Sequence, residues 1–280
     1  MIDLVAVTRS ANDLEALPAS VTRLAAIASK KDWNIGEIEQ TVSLDQALSL
    51  RLLRAANSAA SAARMPIATI RDAVVRVGVG KLLSMATATS VKGRMTGALP
   101  AFGLSEGELW RHSVGTALAA EAAQGFCEEM LPPETHAAAL LHDIGKLVLG
   151  RFLDPEIQEV LALAREQGHL SWMRAEVELL GVHHGELGGL IAQHWQLPPR
   201  LVTGIIHHHT PDEANDPIAD VVHVANVAAK RVGAGPVVDD DDVRLNPSSM
   251  SRLKLNEKGF EMLCRQVEKR LEQVLAQYGA

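Results

Sequence analysis

Apolar residues recur at three- and four-residue spacing along almost the whole chain, and the strict alternation that marks a half-buried strand is missing. The pattern predicts helices over 20–29, 35–41, 43–57, 69–78, 80–92, 105–124, 133–143, 154–168, 171–181, 185–194, 198–209, 217–232 and 257–277. Start signals agree with it. Ser43 with Gln46 and Ser105 with Glu108 have the spacing of a reciprocal cap. Asp154-Pro155 and Asp216-Pro217 each place a capping carboxylate before a proline suited to the first helical turn. Breaks concentrate at 94–103, which holds Gly97, Pro100 and Gly103, and at 233–247. The expected fold class is all-α: a multi-helix bundle with an N-terminal helical subdomain over 1–100, a second helical subdomain over 104–232, and a loop and closing helix over 233–280. That last helix carries Met262, Leu263, Val267, Leu271, Val274 and Leu275 on one stripe. The stripe is too short for a coiled coil, so it is read as packing on the core.

Composition sharpens the class. A chain of 280 residues buries a large core without staples. Its two cysteines, Cys127 and Cys264, are far apart and have no C-x-x-C partner, which suits a reducing cytoplasm. The N-terminus lacks the basic start and apolar run of a secretory signal, and no window reaches the roughly 18 apolar residues of a membrane span. A soluble cytoplasmic protein without membrane contact is expected. Net charge is −7 and aromatics make up 3 % of the chain, so the basic footprint and stacking platforms of a nucleic-acid binder are both missing. The acid run Asp239 to Asp242 is read as a solvated loop.

Histidine is distributed unevenly. All eleven histidines lie between His112 and His223, which points to a metal or proton site in that part of the chain. The residue types suit a metal that takes imidazole nitrogen and carboxylate oxygen: His112, His142-Asp143, His183-His184 and the run His207, His208, His209. His136, His169 and His194 are read only as hydrogen-bonded core residues. Asp143 sits among Leu140, Leu141, Ile144 and Leu147, where a carboxylate is costly to bury without a cation or donors beside it. Gly145-Lys146 has the look of a helix C-terminus, with glycine left-handed and lysine near the last carbonyls.

These residues carry a family resemblance. The order His112, His142-Asp143, His184, His208 and the helix after it resembles the H…HD…H…H…D order of the HD phosphohydrolase superfamily. More specifically, Leu17-Pro18-Ala19, LDQALSLRLLRAANSA (44 to 59), IATIRDAVVRVGVGKL (67 to 82), LLHDIGKLVL (140 to 149) and HHGELGGLIAQHWQLP (183 to 198) resemble the HDOD family, the HD-related output domain of bacterial signalling proteins. The resemblance implies that 104–232 is an HD-like helical subdomain. It also implies a regulatory role through contacts with a separate protein partner, generally without demonstrated catalysis. Its candidate ligand set is His112, His142, Asp143, His184, His208 and Asn226, with one divalent metal (Fe, Zn or Mn) as the cofactor. The superfamily's final Asp falls on Asn226 here, and the GYP segment of the cyclic-di-GMP phosphodiesterase cousins is absent after His208-His209. Asp143 is then the one anionic ligand in the set, which favours one metal over two. Asp220 lies on another face of the same helix and is read as a solvated charge near the helix start.

The alternative to a non-catalytic module is a metal-dependent phosphohydrolase acting on a phosphodiester or nucleotide. In that reading Lys146 contacts the phosphate. A third is a metal or redox sensor, in which occupancy changes the packing between the two halves.

Overall fold

The computed structural model describes residues 6, 9–11, 13–58, 66–128, 130–152, 159, 163, 172–214, 216–236 and 243–277. Among them the chain is all-α, as the pattern predicts; the single β-bridge, Leu99 with Leu104, is isolated. All of the predicted helix 154–168 except residues 159 and 163, together with His169 and the acid run 239–242, lies outside the described residues.

The N-terminal half is built from α1 (Ala19–Ala28), α2 (Ile35–Ser43), α3 (Gln46–Ala56), α4 (Ile70–Val77) and α5 (Val79–Met95). Ser43 does not open a helix. It ends α2, and α3 starts from Asp45, whose side chain accepts the Leu48 N–H at 3.0 Å. Gly78, at φ +85°, turns the chain between α4 and α5 in a conformation that a residue with a Cβ resists. Helix α5 packs on α1 and α4 on one side and on the C-terminal half on the other.

That half is organised around α6 (Glu108–Ala123), which is buried nearly all round. The main chain of Ser105 donates to the Glu108 carboxylate at 2.6 Å just before it, half of the predicted reciprocal cap. Around α6 stand α7 (Thr135–Leu141), α8 (Lys146–Phe152), α9 (Trp172–Leu180), α10 (His184–His194), α11 (Pro199–Ile206), the single turn α12 (Pro211–Ala214), α13 (Pro217–Arg231), α14 (Pro247–Arg252) and α15 (Glu257–Gln277). Asp216 caps α13 as predicted, accepting the Ile218 N–H at 2.9 Å. The closing helix α15 buries Leu263, Val267, Leu271 and Leu275 against α6 and α13, while Met262 stays exposed. One apolar core runs through both halves, from Ala11 to Leu275. Among the described residues, no single helix is long and apolar enough to cross a membrane.

Three expectations change. The predicted helix 133–143 stops at Leu141, and a tight turn carries His142 and Asp143 into α8. Gly145 is not left-handed, and Lys146 begins a helix instead of ending one. A Cβ on Gly145 would lie 1.9 Å from the His184 carbonyl oxygen and 2.7 Å from the Gly188 nitrogen, so glycine is there to let two backbones touch. His194 is exposed on the last turn of α10, not a core residue, and His136 is half-buried between α5 and α7.

Candidate metal centre

Four parts of the chain deliver the polar side chains to one buried point. His112 projects from the first turns of α6, and His142 and Asp143 from the turn after α7. His184 opens α10, where His183 acts as the cap: its Nδ1 accepts the Gly185 N–H at 3.1 Å and its own N–H donates to Glu186 at 3.1 Å. His208 and His209 follow the end of α11. Asp143 lies between two groups, with Oδ2 3.6 Å and 3.5 Å from the Nε2 atoms of His112 and His142, and Oδ1 3.2 Å and 3.8 Å from those of His184 and His208. The donor atoms of His112, His142 and Asp143 form one compact set, and those of His184, His208 and His209 another.

Ring tautomers follow from the hydrogen bonds. His112 Nδ1 stands 2.6 Å from the Ala234 carbonyl, His142 Nδ1 2.8 Å from that of Ala139, and His208 Nδ1 2.7 Å from that of Ile205. A carbonyl only accepts, so in each ring Nδ1 carries the proton and Nε2 presents a lone pair. His112 and His142 are also neutral, since burial lowers their pKa values to about 3 and about 4. Their Nε2 atoms nevertheless face each other at 3.1 Å. Two lone pairs at that distance repel unless a cation stands with them, and ligating histidines characteristically donate their second N–H to a carbonyl or carboxylate. The donor set therefore fits a divalent metal.

Charge on the other side is arranged differently. Burial lowers the pKa values of His208 and His209 well below the ordinary value, and neighbouring imidazoles lower them further. Burial acts the same way on His184, but Glu176 overcomes it and raises that pKa. Glu176 is fully buried, and its Oε2 accepts both the main-chain N–H of His184 at 2.8 Å and the ring Nδ1–H at 2.7 Å. Asp143 is held well below the usual carboxylate range; burial opposes this, and His142 and Lys146 outweigh it. Lys146 Nζ sits 2.6 Å from Asp143 Oδ2 and 5.8 Å from the centre of the Phe102 ring. The cavity beside Asp143, lined by Phe102, His112, Lys146, Lys230 and Pro236, has a volume of about 20 Å³, room for a single water.

A family model for the HDOD domain matches residues 14–211, more than half of the chain. This chain belongs to the HDOD family. Across its length it is similar to an HDOD domain protein from Geobacter sulfurreducens, at 24% identity over 99% of this chain and 98% of that one, with a TM-score of 0.70. A solved structure of a candidate phosphohydrolase from Shewanella amazonensis SB2B shares 26% identity over 98% and 97% of the two chains, with a TM-score of 0.66. A Treponema pallidum protein is 25% identical over 224 residues; the match takes 78% of this chain but 42% of that one, so the HDOD chain spans less than half of this curated relative.

Within the HDOD chain, five of the six sequence-predicted ligands, His112, His142, Asp143, His184 and His208, meet around one carboxylate. Asn226 is buried, and among the described residues its Oδ1 accepts no hydrogen bond. It shares a face of α13 with His223, which bonds to His208, and with Lys230, which lines the cavity beside Asp143. Asp220 is not solvated: it is fully buried, accepting from Ser249 Oγ at 2.6 Å and from Arg252 at 2.9 and 2.7 Å. Sequence reasoning missed Glu176 and His223, and it counted His209 among the metal-suited histidines without including it in the candidate ligand set. Glu176 and His223 act through partners remote in sequence; His209 was visible as the third member of a histidine run.

Proposed function

We propose that this HDOD protein is a regulatory module that acts through a separate protein partner, with a metal-binding centre that tunes the fold and does not turn over substrate. The closure of the centre carries this reading. Asp143 is 2% exposed, its Oδ2 is held by Lys146, and the adjoining cavity of about 20 Å³ is far below the roughly 300 Å³ at which small-molecule sites begin. Lys146, the side chain that would meet a phosphate, is instead committed to the carboxylate.

The groups that would hold a metal are Asp143 with His112 and His142 on one side, and His184, His208 and His209 on the other; Asn226 offers a neutral oxygen. A first-row divalent ion, Fe, Zn or Mn, suits imidazole and carboxylate donors. When bound, it would supply the positive charge that the facing lone pairs lack. One ion is favoured over two, because among the described residues Asp143 is the one anion touching both groups, and Lys146 already neutralises part of it. Free thiols at Cys127 and Cys264 suit a reducing cytoplasm, and the net charge of −7 argues against a nucleic-acid partner.

The second reading, a metal-dependent phosphohydrolase, draws on the two donor groups flanking one carboxylate and on the Shewanella amazonensis similarity. Assay of the metal-loaded protein against phosphodiesters and nucleotides separates the two. The regulatory reading expects no turnover above that of Asp143→Ala; metal-dependent hydrolysis abolished by that substitution overturns it.

A further inference from the structure

The chain beyond the HDOD match reaches back into the centre. Ala234 supplies the carbonyl that holds the His112 Nδ1 proton at 2.6 Å. Its approach depends on two glycines. A Cβ on Gly115 of α6 would lie 2.7 Å from the Ala234 Cβ, and a Cβ on Gly235 would lie 2.5 Å from His112 Nδ1. Gly235 also holds φ +145°, a conformation that L side chains rarely adopt.

A second tie runs through His223. The main-chain N–H of Asn246 donates to His223 Nε2 at 3.0 Å, so that nitrogen is the acceptor and Nδ1 carries the proton. Nδ1 then donates to the His208 carbonyl at 3.0 Å. Asn246 is also the cap of α14, accepting the Ser249 N–H at 2.9 Å. Helix α14 is itself fixed by Ser249 and Arg252 on the buried Asp220. His112 is thus held by the turn that follows α13, and His208 is held, through His223, by the segment that caps α14.

We propose that residues 234–236 and 243–252, together with His223 of α13, form the outer layer of the metal centre, with Ala234, Gly235 and His223 as positioning residues, so that metal occupancy and the seating of α14 are coupled through His223. This rests on the metal reading above. Displacing α14 removes the brace behind His208, whereas the acceptor behind His112 is anchored to the end of α13 by the Ala234 N–H, which donates to the Ala229 carbonyl at 2.9 Å. A cation that fixes the His208 segment holds α14 in place through the same His223 link, since coupling between two sites is reciprocal.

The test uses the full chain stripped with chelator and titrated with Co²⁺, with affinity measured by competition and amide exchange of 247–252 followed with and without the ion. His223→Ala and Gly235→Ala are expected to weaken Co²⁺ binding by about 10- to 100-fold. His223→Gln, which keeps one N–H donor and one acceptor, restores most of it. Co²⁺ slows exchange across 247–252 in the wild type and fails to do so in His223→Ala. Co²⁺ affinities within twofold of wild type in variants that melt normally overturn the coupling while leaving the metal reading intact. A wild-type chain that takes up no Co²⁺ overturns both. Should Gly235→Ala not fold, the His223→Ala and His223→Gln pair decides alone.

Discussion

Substituting Gly145 with Ala isolates what holds the centre together. The new Cβ meets the His184 carbonyl oxygen at 1.9 Å and the Gly188 nitrogen at 2.7 Å. Both obstacles are backbone in α10, so neither can rotate away, and the turn bearing Asp143 must separate from the helix bearing His184. Overpacking a rigid site costs about 1–3 kcal/mol and sometimes more. With two backbone atoms in the way, about 3 kcal/mol is expected, which in a chain of this size lowers the melting temperature by roughly 6 °C. Gly93 serves as the control: it lies in α5 with nothing within 4 Å of its virtual Cβ. Gly93→Ala should be neutral or stabilising by up to about 1 kcal/mol through helix propensity. Gly145→Asn discriminates further, because Asn tolerates the left-handed conformation. It should fail as badly as Ala. Thermal and urea denaturation of the metal-free proteins measure all three. Gly145→Ala within about 1 kcal/mol of wild type, or Gly145→Asn clearly better than Ala, would refute the close-approach argument.

Other perturbations have defined signs. Lys146→Met removes the amine 2.6 Å from Asp143; divalent metal should bind at least about tenfold tighter while the metal-free fold loses about 3 kcal/mol, as expected when a buried pair is broken, and an unchanged affinity in the competition titration would count against a cation site at Asp143. Arg252→Ala leaves the fully buried Asp220, among the described residues, with the Ser249 hydroxyl as its side-chain partner and should cost about 3 kcal/mol in urea unfolding; a loss below about 1 kcal/mol would refute the buried ion pair as what holds α14. Burial holds the His136 pKa below its ordinary 6.5, so the unfolded chain takes up that proton first. Its contribution to stability is complete above about pH 6.5 and lost as pH falls below it; the decline in unfolding midpoint from pH 7 to pH 5 should therefore be shallower in His136→Gln, and an identical slope would show that His136 does not titrate.

The fold was legible because helical periodicity survives in nearly every segment. Asp216-Pro217 located the start of α13 to the residue. Ser43 misled because its spacing to Gln46 is only a local signal, and Asp45, two residues on, competes for the same role and wins with a direct bond to Leu48. At the centre, the adjacency of His142 and Asp143 and the clustering of histidines were enough to find most of the donors. Glu176 could not be found that way: a glutamate in an amphipathic helix looks solvated until His184 is seen behind it. Angular reasoning placed Asp220 off the Asn226 face of α13, and the structure agrees. Its solvation was misjudged because α14, which buries it, follows a stretch that reads as loop.

Metal content and turnover, measured together on one preparation, test the central claim most directly. The wild type should carry about one equivalent of a first-row divalent metal that is lost in Asp143→Ala, and neither protein should hydrolyse phosphodiesters or nucleotides. Metal-dependent hydrolysis by the wild type that disappears with Asp143 would contradict it.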